Sequence, residues 1–171
     1  MILVVGGVSG SGKTTVGALL AGRLGWRFAD ADDFHSDANV AKMRNGVPLT
    51  DADRLPWLRS IAAWMDERIA AGESAVVACS ALKRSYRDLL LSGRPAAVMV
   101  LLDVPRAELE RRLTMRGGHF FPERLLESQL ATLEPPAPDE AVLSVPVSGG
   151  ADEVADRVLA ELKASGRSIG T

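Results

Sequence analysis

The sequence predicts an α/β sandwich built on one parallel sheet, and two observations predict it. Short apolar, β-branched runs alternate with helical patterns along the chain. Several of those runs are apolar at every position, as in Val76-Val77-Ala78-Cys79 and Val98-Met99-Val100-Leu101-Leu102. A strand covered on both faces has no use for a polar alternate, and parallel sheets sandwiched by helices are where such strands occur. Right-handed crossovers then put helices on both faces.

The elements follow in order. Strands are predicted at Ile2–Gly6, Trp26–Ala29, Ala75–Cys79, Ala97–Leu102 and Val142–Val147. A first helix, Thr14–Leu24, stops at Gly25, a residue type that tolerates the left-handed conformation closing a helix. A second, Trp57–Ala71, carries Leu58, Ile61, Ala62, Met65 and Ile69 on one stripe and stops at Gly72. Asp103–Met115 has Pro105 near its first turn, where a missing N–H costs nothing, and Asp103 reads as its cap. Pro122–Leu133 and Ala151–Ala164 complete the set. Glu134-Pro135-Pro136-Ala137-Pro138 reads as a stiff surface connection.

Composition sets bounds. A chain of 171 residues suits a single domain, 1–171. A net charge of −2 argues against nucleic acid as a partner, since nucleic-acid binders carry a basic excess. The longest apolar run, Ala96–Leu102, is too short to cross a bilayer, so no membrane partner is expected. Met1 leads straight into a strand with no basic stretch or small-residue cleavage site, so a cytoplasmic location is expected. The one cysteine, Cys79, allows no intrachain disulfide and reads as a small core residue.

The strongest local signal is Gly7-Val8-Ser9-Gly10-Ser11-Gly12-Lys13-Thr14, between a predicted strand and a predicted helix. It has the form of a P-loop. The glycines let successive backbone N–H groups turn inward, and the positive end of the following helix adds to them, so a β-phosphate fits there. Lys13 reaches the β and γ oxygens, and the Thr14 hydroxyl is a ligand for Mg²⁺. ATP is therefore the expected co-substrate, held by residues Gly7 through Thr15. A P-loop alone does not separate a kinase from a GTPase switch or a motor. The chain has no Asn-Lys-x-Asp and no Asp-x-x-Gly, and its third strand ends in Cys79-Ser80 instead of a metal-holding acid.

Asp30-Ala31-Asp32 directly follows the second strand. In an extended segment alternate side chains share a face, so both carboxylates would point at the C-terminal edge of the sheet, where open α/β sheets bind ligands. One can order Mg²⁺ through water, and the other can receive a proton from an attacking hydroxyl. Downstream, Asp32, His35, Lys42, Arg44, Asn45, Asp51, Asp53 and Arg54 crowd into one stretch. Such a set of cations, donors and acceptors suits a carboxylate-bearing polyol better than a nucleobase, which would want more aromatic surface. Lys42 and Arg44, like Arg84 and Arg87, also fit a plain solvated helix face. Trp57 and Trp64, seven apart, fit one packed face.

Four blocks carry a family likeness: GVSGSGKTT, DADDFHSDANVAKMRNGVPLTDADRLPWL, CSALKRSYRDLL and RGGHFFPERLLESQLATLEPP. Through them the chain, from the P-loop to about Pro136, resembles the gluconate kinases, small relatives of shikimate and nucleoside monophosphate kinases. The resemblance implies a P-loop three-layer sandwich with a five-stranded parallel sheet and a mobile lid. It implies transfer of a phosphoryl group from ATP to D-gluconate with Mg²⁺. It places Asp30 near the metal through water, Asp32 on the substrate hydroxyl, and His35, Lys42, Arg54 and Lys83 in the substrate region. Residues 36–72 would form the substrate-binding segment and 116–134 the lid. Arg116, His119 and Phe120 would belong to the lid, with Arg116 catalytic and His119 on the substrate, and Arg112 could stack on adenine. A homodimer is implied as well. The competing readings are a kinase of another small hydroxy acid, such as shikimate, and an ATP-binding regulator without chemistry.

Overall fold

The computed structural model describes residues 1–115 and 123–167, with backbone only for 123–125. Five strands form one sheet: β1 (Ile2–Gly6), β2 (Arg27–Asp30), β3 (Ala75–Ala78), β4 (Ala97–Asp103) and β5 (Val142–Pro146). Their spatial order is β2-β3-β1-β4-β5 and every pairing is parallel. The C-terminal ends stay in step, with Asp30 beside Ala78, Val5 beside Ala78 from the other side, and Gly6 beside Leu101.

The pleat divides the core. Leu3, Val5, Val76, Val98 and Val100 pack under α1 (Lys13–Leu24) and α7 (Ala151–Ala164), with Val16, Leu20, Val154, Val158 and Leu162 facing them. Ile2, Val4, Val77 and Met99 pack under α3 (Asp51–Ala70) and α4 (Arg84–Leu91), against Leu58, Ile61, Met65 and Leu90. These are the two helical layers that all-apolar strands require. Gly25 closes α1 in the left-handed region at φ 67°, as expected. Among the described residues no helix is long and apolar enough to cross a membrane.

Four features depart from the sequence reading. First, α3 starts at Asp51, six residues before Trp57, and runs through Pro56. A capping box starts it: the Thr50 hydroxyl accepts from Asp53 N–H at 3.1 Å and the Asp53 carboxylate accepts from Thr50 N–H at 2.9 Å. Second, a short helix, α2 (Asp37–Arg44), fills part of the stretch before it. Asn39 is its one buried residue, so it has no apolar stripe to read, and the Ser36 side chain caps it. Third, α4 was hidden because an arginine interrupts its buried stripe of Tyr86, Arg87 and Leu90. Fourth, Asp103 does not cap the next helix. That helix, α5 (Arg106–Met115), begins later, and the Pro105 carbonyl accepts its first bonds, from Glu108 and Leu109. Then α6 (Glu123–Thr132) follows, close to the expected span.

Arg87 is not on a solvated face. Its side chain is fully buried, as is that of its partner Glu140. Nε and Nη2 reach the carboxylate at 2.7 and 3.0 Å, and Nη1 donates to the carbonyls of Leu82 and Glu134 at 2.9 and 3.0 Å. Arg87, joined by the Ala137 N–H, holds the Glu140 carboxyl below its ordinary range. The Pro-rich stretch is thus more than a surface connection. Glu134 N–H donates to Leu82 O at 2.9 Å and its carboxylate accepts from Arg84 N–H at 2.7 Å, which fastens the stretch to the start of α4. Arg84 is the exposed one, paired with Asp139.

Removing one partner of a buried, multiply bonded pair strands the other charge, which costs about 3–5 kcal/mol. Arg87→Ala is therefore expected to lower unfolding stability on that scale in a denaturant titration. Arg84→Ala, whose partner keeps its water, is expected to leave the midpoint nearly unchanged.

Candidate active site

The chain leaves β1 at Gly6 and turns through the P-loop into α1. Gly7, Gly10 and Gly12 have φ of 144°, 82° and 90°, where a side chain is strained. A Cβ on Gly7 would stand 2.6 Å from the Ser11 hydroxyl, so the turn needs glycine on space as well as angle. No side chain caps the N-terminus of α1 and its first turn holds no acid. Its backbone donors and Lys13, Thr14 and Thr15 therefore stand at an uncapped positive helix end, the setting that binds phosphate.

The outer side of the loop is held by two later helices. From α5, the Arg112 guanidinium donates to the carbonyls of Gly10 and Ser11, both at 3.2 Å, while its Nε is steadied by Glu108 at 2.7 Å. The guanidinium of Arg111 and then that of Arg112 hold the Glu108 carboxyl down at about 2. From α6, the Gln129 amide bonds Ser9 twice, its oxygen accepting from Ser9 N–H at 2.5 Å and its nitrogen donating to Ser9 Oγ at 2.9 Å. Val8 completes the loop, its carbonyl accepting from Ser11 N–H at 3.1 Å.

Beside the loop, Thr14 Oγ1 donates to Asp30 Oδ2 at 2.8 Å. Asp30 ends β2, but the segment after it is not extended. Ala31–Phe34 make a 3₁₀ turn, capped by Asp30 Oδ1 accepting from Asp32 N–H at 3.0 Å. The premise of alternate side chains on one strand is therefore corrected. A capped turn relates the two acids, and the buried Ala31 between them is pinned by Trp57 Nε1, which donates to its carbonyl at 2.7 Å. Lys13, Asp32 and Asp30 each act electrostatically on the buried Cys79 thiol. Burial pushes that thiol up to about 12.

The donors here, a hydroxyl and a carboxylate, are hard oxygens, and among the described residues no cluster of three or more His, Cys, Asp or Glu is present. That set fits Mg²⁺, which takes few protein oxygens and keeps water and phosphate as its other ligands. Thr14 and Asp30 are the residues that could hold it.

The acceptor side opens from Asp32. His35 stacks on Trp57 with centroids 4.3 Å apart and planes 11° from parallel. Burial lowers its pKa, Asp32 opposes that and Arg54 adds to it, so the ring is neutral near pH 7. Arg54 Nη1 donates to the Tyr86 hydroxyl at 3.3 Å, and Lys83 Nζ meets both oxygens of Asp51 at 3.0 Å. Lys42 is paired with the neighbouring acid of α3. Its ammonium lies on Asp53 at 2.8 and 2.9 Å, and holds that carboxyl at about 2. Arg116 and His119 fall outside the described residues. Sequence reasoning gave Tyr86 and Gln129 no part. Tyr86 is the one tyrosine of the chain, three residues past Lys83 on a helix whose bounds the sequence reading did not set. Gln129 carried no signal except its place in the fourth block.

Phosphoryl transfer asks for donors aimed at a phosphate chain, oxygens for a hard cation and an acceptor cavity alongside. Fold and site together define a P-loop phosphotransferase acting on a small molecule. A family model described as an AAA domain matches residues 2–136. A gluconokinase of Gluconobacter oxydans (strain 621H) is 50% identical over 162 residues, 95% of this chain and 91% of that protein. Among solved structures, a sugar kinase from Janibacter sp. HTCC2649 superposes with a TM-score of 0.87 at 47% identity, covering 99% of this chain and 98% of the other. A gluconokinase from Sinorhizobium meliloti 1021 does so with a TM-score of 0.84 at 43% identity, covering 95% and 91%. The chain belongs to the gluconokinase family of P-loop kinases.

The Gln129–Ser9 pair yields a test. Gln129→Leu removes both bonds from the loop and is expected to lower kcat by about tenfold, the worth of one or two hydrogen bonds. The thermal midpoint should move little, since Gln129 is only half-buried. Steady-state kinetics beside a melting curve check it.

Proposed function

We propose that the protein transfers the γ-phosphoryl group of ATP to the terminal hydroxyl of D-gluconate, giving 6-phospho-D-gluconate and ADP. Its kinship with gluconokinases along nearly the whole chain carries this reading. The acceptor side supports it, because a group of side chains with Asp32 and Arg54 both acting on His35, and Lys83 beside Asp51, suits a hydroxyl to be deprotonated and a carboxylate to be held.

In this reading residues Gly7 through Thr15 cradle the phosphates, and Lys13 neutralises charge on the migrating group. Mg²⁺, when bound at Thr14 and through water at Asp30, offsets charge on the β and γ oxygens. Asp32 accepts the proton of the attacking hydroxyl, and positioning does the rest. The neutral His35 ring hydrogen-bonds a substrate hydroxyl, and its stack on Trp57 fixes its orientation. Lys42 acts on the shape of the substrate segment, 36–72, by holding Asp53 of α3. His119 completes the substrate contacts. Arg112 serves the nucleotide from its seat on the loop, and Arg116, within the 116–134 lid region, supplies positive charge in the transition state. A homodimer in the cytoplasm is the expected working form.

Mass spectrometry of reactions with gluconate, shikimate and nucleoside monophosphates is expected to show phosphogluconate alone. Turnover of another acceptor without gluconate would overturn the assignment. Asp32→Asn is expected to depress kcat at every Mg²⁺ concentration, because the amide cannot take the proton. Asp30→Asn is expected to raise the Mg²⁺ requirement and to recover in excess metal. A Mg²⁺ titration of kcat for each variant separates the two roles.

Arg116→Ala should lower kcat far more than it weakens ATP binding, by the order of 10³ that arginines in this role contribute elsewhere. Comparing kcat with the ATP dissociation constant checks it.

A further inference from the structure

Asp51 occupies an unusual place for a residue in the first turn of a helix. Its carboxylate takes both contacts of Lys83 Nζ at 3.0 Å and accepts from the Tyr86 hydroxyl, which in turn accepts from Arg54 Nη1 at 3.3 Å. Both cations also lie over the Tyr86 ring, Lys83 Nζ at 5.6 Å and Arg54 Cζ at 5.9 Å from its centroid. An ammonium and a phenol thus meet one carboxylate, with a guanidinium backing the phenol, a donor set that suits a carboxylate ligand. The next acid in the same turn is used differently. Asp53 is committed to the Thr50 capping box and to Lys42, and its side chain is 19% exposed. Among the described residues Asp51 caps nothing and is held only by side chains, and it is 64% exposed, so it can swing into water at little cost to the fold.

We propose that Asp51 is a built-in stand-in for the substrate's carboxylate: in the free enzyme it occupies Lys83 and the Tyr86 hydroxyl, with Arg54 behind that hydroxyl, and it is displaced when a sugar acid binds. The proposal rests on the reading of the acceptor as a sugar acid and names the groups that hold its acidic end. The exchange replaces one carboxylate by another, so the cations are never left unpaired. A neutral polyol of the same length has no anion to offer them. Lys83 and Arg54 then set the preference for acids, and Asp51 sets the affinity by competing.

The test uses Asp51→Asn, with Asp51→Ser as a second variant, and Lys83→Met. D-gluconate and D-glucitol, its neutral counterpart, are the substrates, and acetate is a bare carboxylate probe. Removing the competitor is expected to lower the gluconate KM of both Asp51 variants by about twofold to fivefold, the worth of an exposed ion pair. Acetate is expected to inhibit them competitively at concentrations about tenfold below those that affect the wild type. Lys83→Met is expected to erase at least about tenfold of the gluconate-over-glucitol preference in kcat/KM. A raised gluconate KM in both Asp51 variants with an unchanged acetate inhibition constant would make Asp51 a direct substrate ligand and overturn displacement. An unchanged gluconate-over-glucitol ratio in Lys83→Met would put the carboxylate elsewhere and overturn it equally. The acetate response is also read without turnover, as a larger rise in melting temperature for Asp51→Asn than for the wild type. If the wild type fails to phosphorylate gluconate but this response holds, the acceptor reading fails while the carboxylate site stands. If the response is absent, the site fails.

Discussion

β1 has strand neighbours on both edges and helices over both faces, and Ile2–Val5 have no solvent exposure at all. A strand so enclosed can deliver its chain to a ligand only past its C-terminal end. That end is Gly6-Gly7, where a side chain on Gly6 would run into Met99 of β4 and one on Gly7 into Ser11. The lack of room for side chains at this point lets the chain turn in a tight loop, and α1 then starts with its N–H groups uncapped by any side chain. The other site groups are arranged around that point. Asp30 reaches Thr14 because β2 ends level with β3, which pairs directly with β1. Gln129 and Arg112 reach the loop from the two helices lying between β4 and β5 in sequence.

The layered architecture was legible because its signal is redundant. Fully buried strands leave uninterrupted apolar runs, and α1, α3 and α7 each carry apolar positions that end up beneath the sheet. The elements that escaped notice are those whose stability comes from polar contacts. α2 buries one asparagine and is held by its Ser36 cap. α4 buries Arg87, a residue that reads as solvent-facing until Glu140, 53 positions away, is brought beside it. The residues of α3 before Trp57 carry no part of the apolar stripe by which that helix was read, although a Thr-Asp-Ala-Asp capping box stands at their start. Local patterns record burial of apolar surface well, whereas a long-range partner that makes a charge buriable leaves no local mark.

At the site, the phosphate loop was readable because backbone requirements write themselves into glycine spacing. The sequence put Thr14 and Asp30 near one metal, but their direct hydrogen bond came only with the strand order of the folded sheet. The geometry joining Asp30 to Asp32 was not legible, since a 3₁₀ turn and an extended strand both accept the sequence Asp-Ala-Asp. The Thr50–Asp53 spacing marks Asp53 as the capping acid, but nothing in Thr-Asp-Ala-Asp-Arg shows that Asp51 meets Lys83 and Tyr86.

The lone thiol has a use that none of the chemistry above calls on. Cys79 sits at 1% exposure directly behind the catalytic edge, and its proton is held far above neutral pH by burial. Electrophiles react with thiolate, so in the native state this sulfur is both unreachable and in its unreactive form. Its modification must wait for the end of β3 to come away from β1, to which its own N–H is tied through the Val5 carbonyl. The rate at which a thiol reagent labels the protein is thus a native clock for opening of the central sheet, with no engineered probe and no second cysteine to confuse the reading.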